Sequence, residues 1–483
     1  MHSKAADLAR GRRSRAATGA LAVFAATVMT ALTCGPAGAS APGCSPSLPV
    51  VAFRASSGPG QPVRATLPLA CGFESGYAVS ETTVAVGNDG DVFLSPAASE
   101  NSLGLSRDGG SSWSLTTPTG MQYTSLWNTV DPNLAVDRTT GRVFWAHTTF
   151  TEDLHWPLPD QSAAAWLVPT AVANAHGFQV ASSGDGGHSW RTADYHLENT
   201  ADWEKVFLGP APARRTGAAQ PVGYPNVVYL CANSPLEVIG PGRVCYKSLD
   251  GGVSFTRTGL VFPSPGAPAG CPPLAANTGV VGRDGTVFIP QSCARATYLA
   301  VSRDEGASYS WLPVAGAPAT NGLGATVQLA IDRANDLYLV WGEPDAVRLV
   351  SSRDGGKSWS SPLTISPPGL HHITLPALAA GARGTVGVVY YASTSPSAET
   401  LTAYISQTAN ALAPRPLFYA GAINDPAAPI FKNYGGADSP RADFIGGAYD
   451  AAGNFWGAVV KQLGVPGEDN TLPTTGYVGR LER

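Results

Sequence analysis

Charged residues are scarce in this sequence, and the two signs nearly balance. Only 14% of the 483 residues are Asp, Glu, Lys or Arg, and the formal net charge is −4. So small an excess gives no electrostatic basis for binding nucleic acid or an anionic membrane surface. The chain is instead rich in glycine (55) and proline (40), with 44% hydrophobic residues. This composition is typical of a turn-rich β protein rather than of a helical or disordered one.

The sequence also lacks an apolar run that clearly predicts a membrane span. Its N-terminal apolar stretch, residues 16–32, is short and alanine-rich, and it follows four arginines between residues 10 and 15. Small residues then suit cleavage after residue 39. Residues 1–39 are therefore predicted to be a signal peptide, which makes the protein secreted and leaves no membrane span after its removal. The Arg12-Arg13 pair keeps the twin-arginine export route open beside the general one.

Cysteine spacing of the zinc-site type is absent as well. No CxxC pair and no Cys/His cluster occurs, so no metal and no other cofactor is predicted, although bound calcium is left open. Six cysteines follow residue 39, and an even number in an exported protein predicts disulfides. Among the many pairings possible, closeness in sequence favours three: Cys44–Cys71, Cys231–Cys245 and Cys271–Cys293.

What the sequence does have is a nine-residue pattern that occurs five times. Each copy has a Ser two residues before an Asp, a Gly two residues after the Asp and an aromatic residue five residues after it. Asp and Ser side chains can hydrogen-bond to the turn backbone, and Gly accepts a positive φ. Each copy therefore predicts a tight turn between two strands. The copies are centred on Asp108, Asp185, Asp250, Asp304 and Asp354.

This pattern resembles the Asp-box, S-x-D-x-G-x-x-W, of the bacterial-neuraminidase repeats in sialidases and sialidase-like β-propellers. The resemblance implies an all-β fold, a β-propeller of four-stranded antiparallel blades, in which the boxes are structural turns between third and fourth strands. Alternating apolar runs between turn residues agree with antiparallel sheets. Seven blades are predicted over residues 81–483, with six as the alternative. Residues 40–80 are expected to supply a closing strand, within 49–69, to the last blade.

The order of strands in such a blade also predicts which face binds a ligand. The boxes and the turns between first and second strands share one face, which we call the turn face. The links between blades and the loops between second and third strands share the other, the link face, where the links reach the central channel. Binding roles are predicted there for Asp131, Lys205, His371, His372 and Arg295. Catalytic roles are predicted for Arg441, Asp443, Glu204, Asp202 and Tyr434.

The chain departs from the sialidases that it resembles in one motif. Sialidases hold a substrate carboxylate with three arginines and use a Tyr nucleophile, activated by Glu, with an Asp acid/base. Their F/Y-R-I-P arginine motif is absent here, where residues 53–56 read FRAS. Two functions stay open. One is an exo-sialidase-type glycoside hydrolase acting on acidic glycans. The other is a non-catalytic propeller that binds a glycan or an extracellular or cell-surface protein, and a monomer is expected in both cases.

Overall fold

The computed structural model of this protein contains only β-strands, turns and loops in the residues it describes. The chain divides into two compact units, Met1–Ser40 and Ala41–Arg483, and every described residue belongs to the second. The predicted signal peptide lies outside the described residues. No helix that could cross a membrane occurs among the described residues. The described residues are 43–97, 101–121, 131–150, 175–196, 202–212, 221–234, 242–271, 278–293, 296–319, 327–432, 445–462 and 474–482.

Six sheets are each formed by four strands that follow one another along the chain, with antiparallel neighbours. Four short strands precede them: β1 Cys44–Ser45, β2 Val50–Arg54, β3 Gln61–Pro62 and β4 Leu69–Glu74. The first sheet contains β5 Thr83–Val86, β6 Val92–Ser95, β7 Leu103–Ser106 and β8 Ser114–Thr116. The second contains β9 Asn133–Val136, β10 Val143–Phe150, β11 Ala175–Ser183 and β12 Arg191–His196. The third contains β13 Asp202–Pro210, β14 Asn226–Ser234, β15 Gly242–Ser248 and β16 Thr256–Phe262. The fourth sheet contains β17 Val280–Val281, β18 Val287–Ser292, β19 Thr297–Ser302 and β20 Ser310–Pro313. The fifth contains β21 Gln328–Ile331, β22 Leu337–Glu343, β23 Ala346–Ser352 and β24 Leu363–Thr364. The sixth contains β25 His371–Ala380, β26 Val386–Ser393, β27 Thr400–Thr408 and β28 Leu417–Ala422.

A further sheet combines the two ends of the chain and closes the ring. Its C-terminal strands are β30 Gly446–Tyr449, β31 Phe455–Lys461 and β32 Thr475–Glu482, and the two-residue β29 Phe431–Lys432 precedes them as a partner of β27. The N-terminal β4 pairs antiparallel with β32 as the fourth strand. The innermost strands contact one another all round, and β30 meets β5. The predicted all-β propeller of four-stranded antiparallel blades is confirmed.

The closing strand differs from the one expected within residues 49–69. Strand β4 begins where that segment ends, and β2 instead pairs with β28 on the outside of the sixth sheet. Phe53 of β2 is fully buried there, with its ring centroid 5.9 Å from that of Phe418. The expectation was wrong in its residues because both segments have strand-like patterns. Which exposed sheet edge each segment meets depends on the tertiary arrangement.

The three predicted disulfides form in the structure. Cys44–Cys71 joins β1 to β4, Cys231–Cys245 joins directly opposite residues of β14 and β15, and Cys271–Cys293 spans 22 residues. Such bonds are compatible with an extracellular protein.

All five repeated turns join the third and fourth strands of a sheet and share one hydrogen-bonding pattern. In the fifth, Ser352 Oγ accepts from the Gly356 N–H at 2.9 Å and donates to Asp354 Oδ1 at 2.8 Å. The carboxylate also accepts from the N–H of Ser358 at 2.9 Å and from its hydroxyl at 2.5 Å. These bonds to Ser358 lower the pKa of Asp354 to about 2. The turn conformation thus depends on an ionised aspartate.

Asp354→Ala is expected to lower the free energy of unfolding by about 0.5–1.5 kcal/mol, because the exposed turn donors exchange their bonds to the carboxylate for bonds to water. Since the folded-state pKa is depressed, the contribution is present above pH 4 and is lost as the pH falls towards about 2. Urea unfolding between pH 2 and pH 7 measures both effects. The control is Lys357→Ala, which removes an exposed side chain from the same turn. Equal losses in the two variants would contradict the role given to the carboxylate.

Candidate functional site at the link face

The innermost strands surround a central channel, to which all the sheets contribute. Each of these strands starts at a link between blades, so its first residues lie at the link face. The channel is lined there by the polar residues Thr83, Asn133, Lys205, Thr278 and Gln328, and the residues that follow are mostly apolar. The link-face end is therefore the polar mouth of the channel.

Unusual backbone conformations also concentrate at this mouth. Non-glycine residues rarely adopt a positive φ, and such residues cluster at functional sites because surrounding contacts must hold them there. Five of the seven that occur in the described chain lie on innermost strands or just before them, four at the strand starts and Leu375 midway along β25. They are Glu81 (44°), Asp131 (48°), Trp203 (58°), His372 (54°) and Leu375 (52°).

Glu204, near the start of β13, is the centre of a buried polar group at the mouth. Its side chain is completely buried between the second and third sheets. The Thr148 hydroxyl donates to Oε1 at 2.5 Å, whereas Oε2 has no hydrogen-bond partner within the described chain. Burial, and then the negative charge of Asp131, raise the pKa of Glu204 to about 8. The carboxyl group is therefore mostly protonated at neutral pH, and one of its oxygen atoms is left for another partner.

Side chains of the second sheet hold the backbone around Glu204. Asp131 is buried, and its Oδ2 accepts from the Trp203 N–H at 2.9 Å. Asn133 Oδ1 accepts from the Val206 N–H at 2.8 Å. The Lys205 ammonium, also buried, lies 5.6 Å from the centroid of the Trp203 ring. These contacts from both sides fix the position of the carboxyl group.

The residues selected from the sequence fall into three groups. The structure brings Asp131, Glu204 and Lys205 together. It places His371 and His372 between the fifth and sixth blades instead, where their rings bond to Asp345 Oδ1 at 2.8 Å and to the Pro396 carbonyl at 2.7 Å. The backbone of Asp202 opens β13, but its side chain is outside the description. Also outside the described residues are Tyr434, Arg441, Asp443 and Arg295.

Three buried polar residues at this face were not anticipated. Thr148 contacts Glu204, and Asn233 lies directly opposite Arg243 on β14 and β15. The Arg243 guanidinium is fully buried and donates to the Pro290 carbonyl at 3.1 Å, and burial lowers its pKa to about 9. No local signal marks these residues, because a polar residue near a strand end usually faces solvent.

Comparisons with known proteins give structural resemblances at low sequence identity. No family model matches the chain, and no curated protein matches it. Structural neighbours include the NanB sialidase of Streptococcus pneumoniae, with 9% identity over 90% of this chain and 94% of that one and a TM-score of 0.45. The intramolecular trans-sialidase of Ruminococcus gnavus is 12% identical over 85% of this chain and 95% of that one, with a TM-score of 0.40. A protein of unknown function from Dyadobacter fermentans is 12% identical over 87% and 99%, with a TM-score of 0.38.

Proposed function

We propose that this protein is a secreted glycoside hydrolase that acts on acidic glycans at the link-face mouth of its channel. The observation that supports this most directly is the buried Glu204 carboxyl group, whose pKa is raised to about 8 next to the carboxyl group of Asp131. Glycosidases use two carboxyl groups in different protonation states, one as a general acid and the other as a base or nucleophile. Glu204 is the proposed acid.

The proposed reaction uses the two forms of this acid. Protonated Glu204 donates its proton to the glycosidic oxygen as the bond from the anomeric carbon to the leaving group breaks and a second carboxylate of the catalytic set bonds to that carbon. Water then attacks the anomeric carbon and gives a proton to the Glu204 carboxylate, while the bond to the second carboxylate breaks. Lys205 is close enough to lower the pKa of Glu204, which opposes the effect of burial. It therefore helps to stabilise the carboxylate that proton donation produces.

An acidic substrate is proposed on account of the cations at this face. Lys205 lines the channel mouth, and Arg441 is predicted at the entrance of the last blade. A guanidinium binds a carboxylate through two parallel hydrogen bonds, so Arg441 is proposed to hold the acidic group of the glycan. Tyr434, Asp443 and Asp202 are proposed to complete the catalytic set from the neighbouring links.

The proposal is tested by hydrolysis of fluorogenic glycosides, with sialosides as the first of a panel of acidic substrates. The full chain is expected to turn over at least one of them. Arg441→Lys is expected to lower kcat/KM about tenfold or more at an unchanged melting temperature, because Lys keeps the charge but lacks the planar fork. The control is Arg64→Lys, at an exposed position of the N-terminal segment. Turnover that is unaffected by Arg441→Lys would remove Arg441 from the site.

A non-catalytic glycan-binding propeller is the second candidate, and the burial of Glu204 favours it. The side chain has no exposed surface, so a substrate reaches it only after a change of shape at the mouth. In this case the polar mouth binds a glycan without breaking it. Retained binding on a glycan array, with no turnover across the acidic panel, would select this function over hydrolysis.

A further inference from the structure

The interface between the first and second blades buries polar side chains at its link-face end. Ser95, Trp145 and His147 have no exposed surface. The Ser95 hydroxyl, the Trp145 Nε1–H and the His147 Nδ1 each lack a hydrogen-bond partner within the described chain. A buried polar group without a partner is costly, and such groups are rare in folded proteins. Three of them in one interface point to a partner that the polypeptide does not itself supply.

The order of strands directs these three side chains into the same interface. Trp145 belongs to the apolar cluster that fills it, together with Phe93 of β6. Residues two apart on a strand share a face, so Ser95 faces the second blade as Phe93 does. For the same reason His147 faces the first blade, as Trp145 does. Both β6 and β10 are second strands of their blades, so both run towards the link face.

A hydrogen bond between the two blades fixes the level of Ser95 along the interface. Thr83 lies directly opposite Ser95, and its hydroxyl donates to the Pro132 carbonyl at 3.4 Å at the entrance of the second blade. The strand that follows Pro132 pairs with β10 up to Ala146, the neighbour of His147. Ser95 is therefore at the same end of the interface as His147.

Hydrogen bonds determine which nitrogen of His147 carries the proton. The Gln179 amide nitrogen donates to the Gly120 carbonyl at 3.1 Å, and its oxygen lies 3.2 Å from His147 Nε2. That oxygen can only accept, so Nε2 carries the proton and Nδ1 has a bare lone pair. Burial lowers the pKa of His147 to about 4, which keeps the ring neutral at pH 7.

Trp145 and His147 then offer a donor and an acceptor on neighbouring rings. The rings stack with their centroids 5.5 Å apart and their planes at 17°. The indole N–H can only donate, and the bare Nδ1 can only accept. Two hydrogen bonds of about 2.9 Å to one oxygen atom span up to about 5.8 Å, which suits rings at this separation. The partner must therefore donate and accept through one atom, as a hydroxyl group does.

We propose that the first and second blades bind one neutral hydroxyl group between Trp145 Nε1–H and His147 Nδ1, with the Ser95 hydroxyl as a third partner. The cluster that fills the interface is apolar, so a charged group would lose its hydration there. A water molecule and a hydroxyl of a bound glycan offer the same chemistry. His147 and Thr148 follow each other on β10 and so face opposite blades, which separates this site from Glu204.

¹⁵N NMR of the full chain, labelled at histidine, tests the site with and without lactose as the glycan probe. His147→Gln assigns the His147 signals. The Nδ1 signal is expected upfield of that of an unbonded ring nitrogen, because a hydrogen bond engages the lone pair. Trp145→Phe removes the N–H but keeps an aromatic ring, so it should move this signal back towards the unbonded position. The matched control is Trp341→Phe, at a buried tryptophan of β22 whose N–H already donates to Glu343 at 3.2 Å.

Each result decides the proposal. A bonded Nδ1 that lactose leaves unchanged identifies the occupant as water. A signal that moves when lactose is added identifies a glycan hydroxyl, and Trp145→Phe should then weaken lactose binding about fivefold. An unbonded Nδ1 in both samples, a proton on Nδ1, or equal changes in Trp145→Phe and Trp341→Phe would overturn the site. No turnover is needed, so the test is independent of the proposed hydrolysis.

Discussion

Glu204→Gln is expected to lower kcat on the responsive glycoside by about 10²–10⁴-fold, the usual contribution of a general acid. Glutamine keeps the size of the side chain and can still accept from Thr148 through its carbonyl oxygen, but it has no proton to transfer. The folded structure should therefore persist while catalysis fails. Measurement of kcat and KM between pH 5 and pH 8 separates a loss of proton transfer, which lowers kcat, from a loss of substrate binding, which raises KM.

The same variant has a stability signature that does not depend on catalysis. In the parent the folded-state pKa of Glu204 is raised from 4.5 to about 8. The associated stability is fully present below about pH 4.5 and is lost as the pH rises towards 8, by up to about 1.4 kcal/mol per pH unit. Glu204→Gln should abolish this decline. The stability of the variant relative to the parent should therefore be higher at pH 8 than at pH 5.

The control for both measurements is Glu399→Gln, which changes a carboxylate that is 81% exposed. It should leave turnover and the pH profile of unfolding as they are in the parent. A Glu204→Gln variant with the parent's pH profile would show that the Glu204 carboxyl group is ionised in the fold. That result would remove it as the proposed acid.

Gly72→Ala is expected to destabilise the protein by about 3 kcal/mol or more, because it adds an atom where the closing strand meets the sixth blade. A Cβ at Gly72 would lie 1.9 Å from the Ile423 carbonyl oxygen and 2.6 Å from the Tyr477 hydroxyl. The carbonyl belongs to the backbone, so it cannot move aside as a side chain could. Urea unfolding should show an earlier midpoint or a loss of cooperativity.

Gly58→Ala is the matched control for the closing strand. A Cβ at Gly58 meets no atom within 4 Å, so its effect should stay within about 0.5 kcal/mol. If Gly72→Ala unfolds at the same urea concentration as Gly58→Ala, then β4 does not pack against the sixth blade as described. The last sheet would then lack its fourth strand.

Local chemistry explains why much of the fold can be predicted from the sequence. A turn such as that of Asp354 is completed by hydrogen bonds within nine residues, so the pattern that forms it is visible in any one copy. The five copies resemble the repeats of sialidase-like β-propellers, and that resemblance predicts antiparallel blades. Near-neighbour cysteines predicted the disulfides for the same reason, since Cys231 and Cys245 lie on adjacent strands.

The site was only partly accessible to the same reasoning. Chain alternation placed Asp131, Glu204 and Lys205 at one face, because all three lie close to the start of an innermost strand, and their roles there stay predictions. It gave no means of separating them from His371, which lies at an equivalent start in another blade. Nor did it reveal Thr148, whose contact with Glu204 spans 56 residues of sequence.

The sequence alone determined the turns, the antiparallel blades, the disulfide pairs and the two faces, because each depends on residues close together in the chain. Only the tertiary structure decided that β4 rather than β2 closes the ring, since two free sheet edges compete for similar strands. It alone decided that Glu204 is buried and that its pKa is raised, because burial depends on which blades pack together. A pKa responds to distance and solvent access, and neither can be read from the order of residues.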